Sequence, residues 1–222
     1  QVYRFQDNGG RDVALRFDLT VPFARFMAEH VDELYLPFRR YHMAKVWRGE
    51  NTQRGRYREF MQCDFDIVGT DSAQSDADIA LLIHAALSTL DVGGFKIRIN
   101  HRGVFNRFLD ASGIREKSTA ILRIVDKLEK IGGDETRRLL SEEAGEAAAA
   151  RILDFIRKEG DFESTLAKME ALAGGPGPDS ERLRAIWRAA SEGGVGDDLV
   201  LDPSITRGLD YYTGVVFETF LD

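Results

Sequence analysis

Alternating apolar and polar side chains mark two strand-like runs in the first third of the chain, residues 36–48 and 57–68. A period of two residues is typical of a strand with one buried and one exposed face. The stretch between the runs, residues 49–56, is polar and contains two glycines, so the pattern predicts a β-hairpin with a long loop. Shorter strands are predicted at residues 2–5, 11–17, 95–100 and 215–221.

Apolar residues at helical spacing account for most of the remaining chain. Thr20 and Pro22 are placed to start a helix that runs to about residue 30, and Ser75 is placed to open a second helix, which Gly93 and Gly94 end. Between about residues 101 and 197 the apolar positions keep a helical period. They include Ile121, Leu122, Val125 and Leu128, then Ile152, Phe155 and Ile156, then Leu183, Ile186 and Trp187.

A helical block between two strand-rich parts predicts the α+β class, with a mostly antiparallel sheet, flanking helices and an all-helical insertion. This interpretation divides the chain into a core at residues 1–100, an insertion at 101–203 and a return to the core at 204–222. The first residue is not methionine, and the last predicted strand stops at the final residues. We therefore interpret the chain as a segment of a longer protein.

Composition narrows the class of protein. The 222 residues are 43% apolar and 10% aromatic, which favours a chain with a buried core over a disordered one. The formal net charge of -7 excludes a globally basic nucleic-acid binder but leaves room for a local basic patch. A single cysteine excludes an internal disulfide and fits a cytoplasmic location. The sequence has no apolar run long enough to cross a bilayer and no visible signal peptide, so no membrane partner is expected.

The second predicted strand of the hairpin separates two kinds of side chain. Met61, Cys63 and Phe65 fall on one apolar face, while Gln62, Asp64 and Asp66 fall on the other. A plain half-exposed strand also alternates in this way. Neighbouring carboxylates repel each other on a bare surface, however, so three acceptor groups in a row favour a pocket for a cationic or hydrogen-bonding ligand. Cys63 is interpreted as a packing residue of the apolar face.

Arginines accompany these acceptor groups. Arg48 ends the first strand of the hairpin, and Arg54, Arg56 and Arg58 follow in the loop and the second strand. An arginine fork binds a carboxylate or a phosphate through two hydrogen bonds, which suits nucleotide chemistry. The alternative is a solvated, charged hairpin without a ligand. The four histidines show no metal-ligand spacing with one another or with Cys63, so no metal site is predicted.

Three segments resemble one enzyme family. The strings KVWRGEN at residues 45–51, RGRYREFMQ at 54–62 and DFDIVG at 64–69 resemble motif 2 of a class II aminoacyl-tRNA synthetase, in its histidyl form. RGLDYYTGVVFE at 207–218 resembles the peptide peculiar to histidyl-tRNA synthetases, and LRFDLTVP at 15–22 resembles the amino-acid-binding segment of that family. Two long motifs in the family's order make the chain similar to a piece of a histidyl-tRNA synthetase catalytic domain.

The resemblance implies a histidine–tRNA ligase, which activates L-histidine with ATP to histidyl-adenylate and transfers it to tRNA(His). In that family the arginine matching Arg48 binds the α-phosphate, and the one matching Arg207 helps to activate the reacting carboxylate. The residues implied to hold the α-ammonium group are Asp18, Thr20 and Gln62. The resemblance also implies use of ATP with Mg2+ and a homodimeric full-length protein.

Further binding residues are implied by the same matches. Asp66 and Tyr212 would meet the imidazole nitrogens, with Tyr211 packing beside them. Glu50 and Arg56 match positions near the ATP base and the γ-phosphate. The residues implied to approach the acceptor end of the RNA are Gln53 and Arg54.

Taken singly, several of these residues have plainer interpretations. Asp18 and Thr20 suit a helix cap, and Tyr211 and Tyr212 suit a buried pair at a strand end. Arg207 by itself suits an exposed position. They are assigned to a site only because they occur together with the motif 2 match.

Two alternatives to the synthetase remain at this stage. One is the non-catalytic regulatory subunit of ATP phosphoribosyltransferase, a relative with the same fold that serves histidine biosynthesis. Retention of both Arg48 and Arg207 argues against it, because a sensor does not need the pair that activates ATP. The other is a synthetase-like RNA-sensing domain within a larger regulatory protein. Motif 1, motif 3 and the anticodon-binding domain of the family would lie outside this chain, which implies histidine binding without complete adenylation by the chain alone.

Overall fold

The computed structural model describes residues 1–206 and 213–221, which form two compact units, Gln1–Asp71 and Ser72–Asp222. The first unit contains strands β1 (Arg4–Gln6), β2 (Asp12–Ala14), β3 (Phe38–Trp47) and β4 (Glu59–Val68), together with helix α1 (Thr20–His30). β1 pairs with β2 and β3 pairs with β4, both antiparallel.

The predicted hairpin is present as β3 and β4. Its register runs without a break from Phe38 opposite Val68 to Trp47 opposite Glu59. Beyond the strands, the Arg48 N–H donates to the Arg58 carbonyl at 2.8 Å, and the Gly49 N–H donates to the Gln1 carbonyl at 2.7 Å. These bonds hold the start of the long loop, so Arg48 leaves the sheet on a fixed backbone.

The second unit combines a small sheet with most of the helices. Its elements are α2 (Ala73–Thr89), β5 (Phe95–His101), α3 (Arg102–Ala111), α4 (Ser118–Val125), α5 (Leu128–Ile131), α6 (Gly133–Ala144), α7 (Glu146–Ile156), α8 (Phe162–Leu172), α9 (Pro178–Glu192), β6 (Leu199–Leu201) and β7 (Val215–Leu221). β5 is the central strand, parallel to β6 and antiparallel to β7. The mixture of helices with mainly antiparallel pairings confirms the α+β class.

Helix α2 begins earlier than predicted. Its N-cap is Ser72, whose side chain accepts a hydrogen bond from the Gln74 N–H at 3.2 Å. A serine hydroxyl in this position satisfies one of the unpaired N–H groups of the first turn. The prediction of Ser75 as the opening residue was therefore wrong by one turn.

One apolar core serves the whole second unit. Phe105 and Phe108 of α3 contact Phe155 of α7, with the Phe108 and Phe155 rings stacked at a centroid distance of 4.4 Å. Ile97 and Ile99 of β5 are fully buried in the same cluster. The helices after residue 101 thus share their core with α2 and β5. The division of the chain at residues 100 and 203 stays a prediction.

His101 caps α3 in buried surroundings. Its Nδ1 accepts a hydrogen bond from the Gly103 N–H at 2.9 Å, which requires the ring nitrogen to be unprotonated. Burial lowers the pKa of His101, and the nearby Asp179 carboxylate only partly opposes this effect. The cap is therefore built on a neutral histidine.

Acid is expected to destabilise the second unit through His101. Because its folded pKa lies below the ordinary 6.5, only the unfolded chain binds the proton between these two values. The free energy of unfolding is therefore fully retained above the ordinary pKa and falls as the pH drops through this window. His101→Asn keeps a cap acceptor but cannot be protonated, so its stability should fall less between about pH 7 and about pH 5 in urea unfolding. His30→Asn, in the first unit, is the control, and an equal loss in His101→Asn and the parent protein would contradict the assignment.

Candidate functional site

The polar side chains of β4 lie on the more buried face of the hairpin. Gln62, Asp64 and Asp66 are half-buried, whereas Met61 and Cys63 on the opposite face are exposed. The interpretation of Cys63 as a packing residue of the apolar face was wrong, because that face of the hairpin is open and Cys63 is exposed. In the middle of the strand the acceptor groups are thus more sheltered than the apolar side chains that alternate with them.

Arg48 is held in one orientation beside these acceptor groups. Its Nε donates to the Phe17 carbonyl at 3.2 Å, and its Nη2 donates to Gln62 Oε1 at 3.2 Å. Gln62 in turn donates from Nε2 to Asp64 Oδ1 at 2.8 Å. The guanidinium also lies over the rings of Phe17 and Phe60, at 4.9 and 5.2 Å from their centroids. A planar fork fixed in this way is preorganised for an anionic group.

Asp66 forms an ion pair with Arg40, its cross-strand neighbour on β3. The Arg40 Nη2 and Asp66 Oδ2 atoms are 2.8 Å apart, and the two side chains are 15% and 22% exposed. The Arg40 guanidinium lies 3.6 Å from the centroid of the Phe23 ring of α1. Burial raises the pKa of Asp66, and the Arg40 charge opposes that rise. The pair is therefore desolvated and fixed on two sides.

The ion pair has unused hydrogen-bonding capacity. The Arg40 Nε atom is buried without a hydrogen-bond partner, and the buried Arg40 Nη2 and Asp66 Oδ2 atoms contact each other in the ion pair without a further partner. Buried polar atoms in this condition are costly unless a further group reaches them. Next to Arg40 lies a mainly apolar cavity of about 370 Å³, lined by Pro22, Phe23, Phe26, Phe38, Arg40 and His42.

Arg40 was missed by the sequence reasoning. The signal that could have found it is the hairpin register, which sets Arg40 opposite Asp66. Residues directly opposite in an antiparallel pair have side chains on the same face. The length of the loop between the strands left that register open until the structure was known.

Asp18 and Thr20 lie at the start of α1. Asp18 Oδ1 accepts a hydrogen bond from the Val21 N–H at 3.2 Å, and Thr20 is the exposed first residue of the helix. Asp18 thus bonds to the first turn of α1, but the N-cap position is Leu19, so the interpretation of Thr20 as the cap was wrong. A contact of these two residues with a ligand stays a prediction.

The loop between β3 and β4 forms a second, polar cavity of about 350 Å³. It is lined by Gln1, Gly49, Glu50, Asn51, Gln53 and Arg56. The structure thus brings together three of the predicted site residues of the loop, Glu50, Gln53 and Arg56. Glu50 and Arg56 form an ion pair at 3.5 Å, and Arg54 is exposed near the loop tip.

The remaining predicted site residues, Arg207, Tyr211 and Tyr212, lie outside the described residues. Within residues 1–206 and 213–221, no group of three or more His, Cys, Asp or Glu side chains is arranged to hold a metal ion. No helix in that same part of the chain is both long and apolar enough to cross a membrane.

The α+β fold, and a hairpin that carries an oriented arginine beside acceptor groups, agree with the class II aminoacyl-tRNA synthetase fold. A family model described as histidyl-tRNA synthetase matches residues 1–222. The chain belongs to the histidyl-tRNA synthetase family.

Individual relatives agree with the family. The chain is 58% identical to a histidine–tRNA ligase from Treponema denticola and 49% identical to one from Rhodopirellula baltica, in each case over 100% of this chain. It covers 51% and 52% of those two proteins, so it spans about half the length of the curated relatives it matches.

Solved structures agree as well. A histidyl-tRNA synthetase from Nostoc matches with a TM-score of 0.88 at 33% identity, over 99% of this chain and 52% of that one. A Bacillus halodurans protein described as an ATP phosphoribosyltransferase regulatory subunit/histidyl-tRNA synthetase matches with a TM-score of 0.84 over 100% of this chain and 58% of that one. Its identity is 21%, so this likeness shows the fold alone.

Proposed function

We propose that the protein containing this chain is a histidine–tRNA ligase. An oxygen of the histidine carboxylate attacks the α-phosphorus of ATP, the bond from that phosphorus to the bridging oxygen breaks, and pyrophosphate leaves. A terminal hydroxyl of tRNA(His) then attacks the carbonyl carbon of histidyl-adenylate, and AMP leaves. The observation that carries the proposal is Arg48, held by hydrogen bonds to the Phe17 carbonyl and to Gln62 within the matched motif.

Arg48 supplies electrostatic stabilisation in the first step. Negative charge builds up on the oxygens around the α-phosphorus in the transition state, and a fixed cation stabilises that charge without reorganising during the reaction. Arg207 is proposed to bind the reacting carboxylate in the same step. The carboxylate is already ionised near neutral pH, so the first step needs no side-chain base.

Asp66 and Arg40 support recognition of the imidazole ring. An ionised Asp66 would accept a hydrogen bond from a ring N–H, and the Arg40 charge favours that ionised form against burial. Tyr212 is proposed at the other ring nitrogen, with Tyr211 packing beside it. The α-ammonium group is assigned to Asp18, Thr20 and Gln62.

The polar loop cavity is the proposed position of the ATP polyphosphate. Arg56 offers a cation for the γ-phosphate, and Glu50 and Asn51 would offer oxygen ligands of the kind that Mg2+ takes together with phosphate oxygens. When bound, Mg2+ would neutralise charge on the departing pyrophosphate. Gln53 and Arg54 are proposed to approach the acceptor end of the RNA. A cytoplasmic homodimer and the division into core, helical insertion and core complete the proposal.

The proposal is tested by ATP–pyrophosphate exchange with the full-length protein and each amino acid in turn. Exchange that depends on histidine supports the synthetase, followed by measurement of histidyl-tRNA formation. Histidine binding without exchange would favour the regulatory-subunit alternative. Exchange with a different amino acid would refute the assignment of the pocket.

Asp66→Asn should weaken histidine recognition. The amide has nearly the same shape, but it lacks the charge that pairs with Arg40 and offers only one acceptor oxygen to the ring. We expect the KM for histidine to rise about 10- to 100-fold while the KM for ATP changes little, since a site loses selectivity when a buried partner is left unpaired. Asp12→Asn, an exposed aspartate of the first unit, is the matched control. An unchanged KM for histidine would contradict the role of Asp66.

A further inference from the structure

The five residues directly before Arg207 are unusually well anchored. Asp202 and Thr206 are polar yet almost fully buried, and Ile205 between them is buried as well. The Asp202 N–H donates to the Ile99 carbonyl at 2.9 Å, and Thr206 Oγ1 donates to the Leu122 carbonyl at 3.3 Å. The segment is thus held against β5 at one end and against α4 at the other.

Asn100 of β5 makes the central contact with this segment. Its side chain is 2% exposed, and its Nδ2 donates to the carbonyls of Pro203 at 3.2 Å and Ile205 at 3.0 Å. Its Oδ1 accepts from the His101 N–H at 2.8 Å. One buried amide therefore fixes two carbonyls of the segment and satisfies its own oxygen.

Packing alone does not explain an asparagine at this position. Asparagine is depleted from strands, and burying an amide costs free energy unless every polar atom is paired. An apolar residue would fill the same volume beside Ile99 without that cost. The amide donates directed hydrogen bonds to the backbone of residues 203–205, beyond the end of the sheet. This favours a role in positioning that backbone.

Asp202 strengthens the same anchor. Its Oδ1 accepts from the Ser204 N–H at 3.0 Å and from Ser204 Oγ at 2.6 Å. Its Oδ2 pairs with Arg98 Nη1 at 3.0 Å and with Lys158 Nζ at 3.3 Å. The turn after β6 is therefore closed on itself and tied to charged groups from β5 and the helical part of the unit.

The peptide at residues 207–212 is bracketed by contacts with one end of β5. Before it, Asn100 holds Pro203 and Ile205. After it, the Arg102 N–H donates to the Gly214 carbonyl at 3.0 Å, and Val215 pairs opposite His101. Consecutive residues of β5 and α3 therefore set the positions at which the chain enters and leaves this peptide.

We propose that Asn100 is a positioning residue that places Arg207 for adenylate formation by clamping the Pro203 and Ile205 carbonyls. The inference rests on the proposed role of Arg207 in the synthetase reaction. Asn100 itself touches no substrate in this proposal and acts only through the backbone that carries Arg207.

The test is a double-mutant cycle in the full-length protein, measured as the kcat of histidine-dependent ATP–pyrophosphate exchange. Asn100→Ala is expected to lower kcat about 10- to 100-fold, since small displacements of a catalytic group have effects of this size. In an Arg207→Ala background the same change should lower kcat by less than about threefold, because the residue it positions is already gone. Asn100→Leu, which fills the volume without donating, is a second variant in case alanine impairs folding.

Thr136→Ala provides a matched structural control. Thr136 is also fully buried in the second unit, and its hydroxyl donates to the Gly132 carbonyl at 2.8 Å, at the start of α6. Its loss should destabilise the protein but leave kcat within about twofold and show no coupling to Arg207→Ala.

The outcomes separate two kinds of failure. If the wild-type protein gives no histidine-dependent exchange, the proposed function is refuted. The inference is then refuted as well, because it depends on that function. If the wild type is active but both Asn100 variants keep their kcat, the inference alone is overturned. The inference is also overturned if the double variant loses kcat by the product of the two single losses. Asn100 would then act independently of Arg207, as a purely structural residue.

Discussion

Arg48→Ala is expected to lower the kcat of histidine-dependent ATP–pyrophosphate exchange by about 10²- to 10³-fold in the full-length protein. Loss of one preorganised group that stabilises a developing anion typically costs about 3–4 kcal/mol of transition-state stabilisation. Arg48 qualifies because two hydrogen bonds and two aromatic rings fix its guanidinium before substrate arrives. A group of this kind acts on the transition state more than on the ground state, so the KM for histidine should change less than kcat.

Two further variants sharpen the Arg48 test. Arg48→Lys keeps the charge but loses the planar fork, so it should recover only part of the rate. Arg25→Ala removes an arginine whose side chain is 81% exposed and paired with Glu29 on the surface of α1, and it should leave kcat unchanged. A kcat for Arg48→Ala within about threefold of wild type would contradict the assignment of this arginine to the α-phosphate.

Phe155→Ala should be the most damaging single change to the stability of the second unit. The Phe155 ring is fully buried, stacks on Phe108 at 4.4 Å and meets the edge of Phe105 at 5.4 Å. Truncation removes the transfer free energy of the ring and leaves a cavity that these neighbours cannot fill. We expect the free energy of unfolding to fall by about 3–5 kcal/mol.

Tryptophan fluorescence can isolate this effect in urea unfolding. The two tryptophans are Trp47, in the first unit, and Trp187, which stacks on Phe162 in the second. In a Trp47→Phe background the signal therefore reports the second unit. Leu90→Ala, which truncates an apolar side chain that is 70% exposed in the same unit, should cost less than about 1 kcal/mol. A similar small cost for Phe155→Ala would refute the assigned core.

Much of the secondary structure follows from local pattern. The hairpin, α1, β5 and β7 occur within a few residues of their predicted bounds, because alternation and helical period are properties of neighbouring residues. The start of α2 was misplaced because Ser75 was interpreted as the opening residue, whereas the hydroxyl of Ser72, three residues earlier, caps the helix. The long strand predicted at residues 11–17 is only Asp12–Ala14, although Arg16 still accepts a hydrogen bond from the Trp47 N–H.

The important polar residues likewise fall into those that the sequence predicted and those that only the structure revealed. Arg48, Gln62 and Asp66 were found because they lie in motifs with a fixed spacing and an alternating face. Arg40 and Asn100 were not, because each acquires its significance from a partner that is distant along the chain. Asn100 bonds to carbonyls more than a hundred residues away, and no local period encodes that contact.

By itself, the sequence determined the family, the hairpin and the fact that its polar side chains share one face. Motif spacing and the two-residue period of a strand can both be read from neighbouring residues. Only the tertiary structure decided which face of the hairpin is sheltered, that Arg40 pairs with Asp66 and lies over the Phe23 ring, and that Asn100 bonds to the Pro203 and Ile205 carbonyls. The physical reason is the distance along the chain over which each property is decided. A strand's period depends on its own residues, whereas burial and the pairing of buried polar groups depend on which distant segments the packed chain brings beside them.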